Sequence, residues 1–213
     1  MAITYPIDFP NTIGLTDSVL RARTVVSKNI SPFSLAEQIY TWGGERWELD
    51  IVLPIMNRSQ VEEFYSFMTK LRGMHGRFTC FVPSATTARG TVKNLNNGDI
   101  LVKGASQTGR ELIIDGFANN QSNVVLAGDY FQLGTGLNTR LYKVLDNVSS
   151  NGTGAVTLDI FPALRSSPND NDVVYFNNPK GLFRLSENVF DMPSDMNNLF
   201  NLSFSAIEAV DGT

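Results

Sequence analysis

Histidine and cysteine each occur once in the 213 residues, as His75 and Cys80, and that scarcity removes whole classes of chemistry. One thiol forms no intrachain disulfide, so a cytosolic folding environment fits at least as well as a secreted one. The two residues cannot build a His/Cys zinc cluster, and without a Gly-x-Ser-x-Gly elbow His75 has no nucleophile to activate in a hydrolytic triad. Charge is scarce too, at 18% of residues, against roughly 25% in ordinary soluble domains. The 17 basic and 21 acidic residues give a formal charge of -4 and contain no basic block. That argues against a nucleic-acid binder, which needs clustered Lys and Arg to displace counterions from phosphates. Long apolar runs are also missing. No stretch approaches a membrane span, and the first eight residues have neither a basic nor an apolar leader region, so no membrane partner is expected and the mature chain is expected to start near Met1.

What is present is 42% hydrophobic residues under a surface that must be largely Asn, Ser, Thr and Gly. Proteins that hide surface in assemblies show this balance, as does a lone β-sandwich of uncharged polar character. The length suits one large β domain or two small ones.

Residues 1–32 alternate short apolar pieces with Pro6, Pro10, Gly14 and Pro32, which favours extended arms and turns, and residues 19–26 read as a strand or a short helix. A strand is expected over 33–40, reversed by a turn at Trp42-Gly43-Gly44-Glu45. Trp47, Leu49, Ile51 and Leu53 then alternate with Arg46, Glu48 and Asp50, the pattern of a strand with one buried and one wet face, which Pro54 ends. A helix is expected over 59–72. Ser59 with Glu62 three residues on reads as a capping box, Val61, Phe64, Phe67, Met68 and Leu71 make its apolar stripe, and Gly73 offers a left-handed closing residue. A helix with such a stripe needs a sheet to lie on, and the strand around Phe78 follows it directly.

From about residue 89 the character changes to short strand candidates at 90–93, 100–102, 111–115, 130–133, 141–145, 156–161 and 173–176, separated by Gly/Asn/Ser/Pro turns. Regular strands with no helical period imply a small barrel or sandwich. The composition shifts back near residue 179, and Phe200, Leu202, Phe204 and Ala206 share one parity of a final strand. Pairing that strand with 47–53 makes residues 1–88 and 179–213 one β-domain with its helix, with 89–178 inserted; two domains in sequence is the rival arrangement. The fold class is thus mainly β, with one packed helix. Its predicted core is Trp47, Leu49, Ile51, Leu53, Val61, Phe64, Phe67, Met68, Leu71, Phe78, Phe200, Leu202 and Phe204.

No catalytic, cofactor or metal residues are predicted. His75 reads as a turn residue after the helix and Cys80 as a buried inert thiol. Glu62/Glu63 sit on the polar side of the first helical turn, where the dipole favours them, and Asp170/Asp172 lie in an Asn/Ser/Pro loop. The run 169–172 lacks the glycine and distal glutamate of a calcium loop, and Gly134-Thr135-Gly136 lacks the Lys of a phosphate loop. Trp42 is a candidate sugar platform, whereas Trp47 is placed in the core by its parity.

Taken in order, Trp47-Glu48-Leu49-Asp50-Ile51-Val52-Leu53-Pro54, Phe67-Met68-Thr69-Lys70-Leu71-Arg72-Gly73 and Gly76-Arg77-Phe78 begin a pattern that runs through most of the chain. It continues in Gly104-Ala105-Ser106-Gln107-Thr108-Gly109-Arg110, Ala127-Gly128-Asp129-Tyr130-Phe131-Gln132-Leu133-Gly134, Arg140-Leu141-Tyr142-Lys143-Val144, Phe161-Pro162-Ala163-Leu164-Arg165 and Gly181-Leu182-Phe183-Arg184-Leu185. From about residue 33 onward the chain resembles bacteriophage tail proteins of the distal-tail (Dit-like) and baseplate-hub adaptor kind. The resemblance implies a non-enzymatic subunit of a homo-oligomeric, commonly hexameric ring. In that family a belt domain with one helix forms the ring and a second β module decorates it; the inferred insertion departs from the many members whose second module follows the belt. The implied partners are tail tube and baseplate hub proteins, with DNA passing through the lumen without specific binding. The implied location is the virion, after assembly in the host cytoplasm. Edge strands and the N-terminal arm are expected to pair with neighbouring subunits. The alternatives are a carbohydrate-binding host-recognition module, from Trp42 and the barrel-like middle, or another tube- or capsid-associated structural subunit.

Overall fold

A computed structural model describes residues 3–10, 12–193 and 199–210. In chain order its elements are β1 (Ile7–Asp8), β2 (Asp17–Ile30), β3 (Glu37–Val52), α1 (Arg58–Leu71), β4 (Phe78–Phe81), β5 (Leu101–Val102), β6 (Glu111–Asp115), β7 (Tyr130–Leu133), β8 (Arg140–Val144), β9 (Val156–Phe161), β10 (Val174–Tyr175), β11 (Lys180–Leu185) and β12 (Ser203–Glu208). The protein is mainly β. Its described strands form two six-stranded sheets, ordered β1-β4-β11-β12-β3-β2 and β10-β7-β8-β9-β6-β5.

In the first sheet β12 runs antiparallel to β3, with Phe204 opposite Ile51 and Ala206 opposite Leu49. Their shared parity points at α1, whose buried stripe is Val61, Phe64, Phe67, Met68 and Leu71, as its spacing predicts. Phe64 meets Phe204 with ring centroids 5.6 Å apart, and Phe67 meets Phe78 edge-on at 5.6 Å. Burial of such aromatic area is the main stabilising term here.

The helix starts two residues before the expected cap. Asn57, held extended, accepts from the Gln60 amide at 3.1 Å while the Gln60 side chain accepts from the Asn57 amide, so the capping box is Asn57/Gln60 and not Ser59/Glu62. Met56 pairs as a bridge with Phe200, which keeps the chain extended up to that cap. At the other end Arg72 itself takes the left-handed conformation, with Gly73 following it.

Three further expectations are corrected or extended. The N-terminal arm is used within its own chain: Ile7 and Asp8 pair in parallel with Phe78 and Thr79, and Phe9 and Ile13 enter the core. The strand read at 19–26 stands but is longer, running over residues 17–30 at the expense of the arms and turns expected around it. The reversal lies not at Trp42–Glu45 but at residues 31–36, where the Ser31 amide donates to the Ala36 carbonyl at 2.9 Å and Leu35 adopts a positive φ. Residues 33–36 are therefore loop, and Trp42-Gly43-Gly44-Glu45 lies inside β3. There the register between Thr24↔Glu45 and Val26↔Thr41 spends extra β3 residues opposite Val25, a bulge in which Gly43 has φ +68° and a Cβ on Gly44 would sit 2.9 Å from a Val25 methyl. The glycine pair bends the strand rather than ending it.

The second sheet closes on itself. Beyond the ladder, the Val102 amide donates to Asp172, Asn171 to Val102 and Val174 to Ile100, and Leu101 bridges Val173, so the two terminal strands meet. Its interior holds Val102, Leu112, Ile114, Phe131, Tyr142, Val144, Leu158, Ile160 and Val174, the inward parity expected of a small barrel. Residues 90–93, expected as a strand, instead lead into a 3-10 turn at Thr91–Asn94. Gly90 packs so closely on the Val124 carbonyl that a Cβ would approach it to 2.3 Å, and this contact lets Val92 drop into the barrel core.

Candidate functional site

The predicted core residues Trp47, Leu49, Ile51, Leu53, Val61, Phe64, Phe67, Met68, Leu71, Phe78, Phe200, Leu202 and Phe204 are all buried, and they share one apolar cluster. Phe200 lies ahead of β12 and joins the sheet only through its bridge to Met56. Trp47 does more than pack. Its indole Nε1–H donates to the Leu141 carbonyl of β8 at 2.9 Å, and its ring lies edge-on to Phe161 at 5.0 Å and beside Tyr130 at 6.0 Å. It is one of the places where the first sheet meets the barrel, the Lys180 amide donating to the Gln132 side chain at 2.9 Å being another.

The residue types that could carry chemistry have structural roles. His75 ends a 3-10 turn and stacks edge-on with Tyr5. Cys80 is buried, which pushes its thiol up to about 12 and keeps it protonated at neutral pH. Glu63 accepts from Thr12, while Asp170 and Asp172 accept from the loop amides of Gly104 and Asn169. Among the described residues no three His, Cys, Asp or Glu side chains gather as metal ligands, and no helix is long and apolar enough to cross a membrane.

The feature that stands out is the outer half of the β2–β3 hairpin. Between Arg21 and Gly44 almost every side chain is exposed on both faces. At its tip Phe33 is 98% exposed and Leu35 76%, and Trp42, the candidate sugar platform, is 72% exposed on this hairpin, outside the barrel. The register gives these residues a meaning. Leu20↔Leu49 packs on the core, Trp47 is buried beside an exposed Ala22, and the same parity continues through Thr24↔Glu45, Val26↔Thr41, Lys28↔Ile39 and Ile30↔Glu37. The face that covers a core at the base of the hairpin thus carries Val26, Ile30 and Ile39 into solvent, interleaved with the paired Lys28 and Glu37.

On the opposite face the charges neutralise one another. Arg21 pairs with Asp50, which also accepts from Ser205, while Arg23 and Arg46 both donate to Glu48. The Ser205 hydroxyl, with Arg21, holds the Asp50 carboxyl below its usual range, and the guanidiniums of Arg46 and then Arg23 do the same for Glu48.

At the base of the hairpin lies a polar cluster that sequence reading missed. The Glu45 side chain, 5% exposed, accepts from the Arg110 guanidinium through one oxygen and from the Ala163 amide, at 2.9 Å, through the other. Arg165 donates to the Glu45 carbonyl and to Glu208, 2.8 Å away, and Glu208 also accepts from the Trp47 amide at 3.0 Å. The four side chains come from positions 45, 110, 165 and 208, too far apart for any local pattern. The only local signal was Glu45 itself, on the core parity of β3.

Fold and surface together define a mainly β protein that joins an open, helix-backed sheet to a closed barrel and extends a hairpin beyond both. Residues 90–178 match the family described as Distal tail protein pb9, B domain. Over this segment the chain is similar to a distal tail protein; the match supports a phage distal tail protein, and with it a structural role in the virion tail. No curated protein matches the chain.

Proposed function

We propose that this chain is a non-enzymatic subunit that associates with copies of itself, six in the arrangement the resemblance implies, into a ring joining the tail tube to the baseplate hub or tip. Residues 1–88 with 179–213 serve as the belt, and the barrel, within 89–178, is an inserted module carried on it. The observation that carries this reading is the hairpin's outer half. A strand pair that continues the core parity of its own sheet into water exposes apolar surface that a monomer has no use for. β2 is also the end strand of its sheet, with a long row of backbone groups on its outer side. A second copy is the natural cover, since addition at a sheet edge satisfies those groups while closing over the apolar face.

The neutralised face supports the passage of DNA. Arg21, Arg23 and Arg46 are each engaged by a carboxylate, and the chain as a whole is acidic, so a polyanion moving along this face meets little to hold it. Size-exclusion chromatography with light scattering tests the assembly. The full chain is expected to self-associate or to bind tube or hub protein, and the double variant Phe33→Ser with Leu35→Ser to lose at least tenfold in that association. A monomer that binds neither tube nor hub overturns the reading.

A further inference from the structure

We infer that Glu45 is a positioning residue through which the barrel sets the angle at which the hairpin projects. The inference rests on the assembly reading for its purpose, although not for its geometry. Glu45 is the last buried residue of β3 before the strand leaves the body, and every residue of β3 from Glu37 to Gly44 is exposed. Immediately beyond it comes the bulge, where the ladder skips between Thr24↔Glu45 and Val26↔Thr41 and Gly43 takes a left-handed conformation. An interrupted ladder beside two glycines is the soft point of a long hairpin. The clamp sits against that point.

Both oxygens of Glu45 are committed to the barrel, to Arg110 just before β6 and to the Ala163 amide just after β9, and its main-chain carbonyl is held by Arg165. Arg165 in turn grips Glu208 on β12, so one cluster ties together the hairpin base, the barrel and the middle of the first sheet. The nearby Arg23–Glu48 and Arg21–Asp50 pairs lie wholly within the first sheet and cannot transmit the barrel's position. A hairpin aimed in advance loses less conformational freedom when a neighbour closes on it. The barrel is therefore a brace for the contact surface as well as a decoration.

The test uses spin labels on the full chain at Asn29→Cys, on the outer hairpin, and Lys93→Cys, on the barrel, diluted with unlabelled protein so that only distances within one chain are read. Cys80 is buried and stays unlabelled. The parent is expected to give a single narrow distance distribution, and Glu45→Ala and Arg110→Gln to broaden it at least twofold with the circular dichroism unchanged. If Glu45→Ala does not fold, Arg110→Gln, whose side chain is half exposed, decides the matter. Unchanged widths in a folded variant overturn the inference. Light scattering on the same samples separates the two claims: a monomer whose distribution broadens keeps the brace and loses the ring, and an assembly whose distribution stays narrow does the reverse.

Discussion

The barrel and the first sheet are both six-stranded, yet they handle their edges in opposite ways. The barrel spends its terminal strands on each other, so its sheet edges are paired and most of its apolar strand residues face inward. The first sheet covers one edge with the short β1 and leaves the other as the long β2, which runs on past the core with apolar residues on show. Closure removes a sheet's edges, whereas an open sheet with an overlong hairpin keeps an edge at which another strand can add. Substitutions and solution conditions that act on one sheet and spare the other measure how separate the two are.

The largest effect is expected from Phe64→Asp. Phe64 is fully buried among Phe9, Phe67, Phe190 and Phe204, and a carboxylate there loses the aromatic contacts and demands solvation that the site does not supply. A cost above about 4 kcal/mol follows from cavity and charge burial together, enough to unfold the first sheet. Hydrogen exchange locates the damage: amides of β3, β11 and β12 should lose protection while those of β6, β7 and β9 keep it. Equal loss in both sheets would make them one cooperative unit and end the comparison, and full protection in both would remove α1 from the core.

Residues such as Phe64 were legible because a helix stripe and a β alternation each repeat locally. Trp47, Leu49, Ile51 and Leu53 declare a half-buried strand, and the final strand declares its partner through the same parity. What was illegible has three physical causes. Two capping boxes, Asn57/Gln60 and Ser59/Glu62, fit the helix start equally well by spacing, and the bridge from Met56 to Phe200, a contact over 144 positions, selects the first. The hairpin's outer half has no buried face, so it shows no in/out contrast, and its Gly43-Gly44 bulge looks like a reversal. Glu45, Arg110, Arg165 and Glu208 meet only because two sheets dock at Trp47, and no window of sequence contains that docking.

A smaller effect is expected from Asn57→Ala, which removes the side chain that accepts from the Gln60 amide and leaves that donor to water. The usual cost of losing such a cap is about 1 kcal/mol, and it should appear only in the unfolding of the first sheet. Hydrogen exchange during thermal unfolding, followed at β12 for the first sheet and at β9 for the barrel, separates the two. A shift of the barrel alone would contradict the assignment of α1 to the first sheet, and no shift in either would mean that Gln60 finds an equivalent partner.

The smallest effect is expected from acid, and its sign follows from which carboxylates are held. Asp8, bonded by the Thr79 hydroxyl and by Lys180, has its carboxyl lowered, as do Glu48 under Arg46 and Arg23 and Asp50 under Ser205 and Arg21. A carboxyl lowered in the folded state binds its proton more readily in the unfolded one. Each therefore contributes fully at pH values above the usual carboxylate range, near 4, and loses its contribution as the pH falls through the depressed folded value. All three are surface groups, so screening keeps each contribution small. All three also lie on the first sheet: Asp8 in β1, Glu48 and Asp50 in β3. Lowering the pH from 6 to 3 in low salt should loosen the first sheet before the barrel, and 0.5 M salt should narrow the gap by screening the pairs. Exchange at β3 and β9 across that range reads the order, and a barrel that opens first would show that its closure is the weaker device.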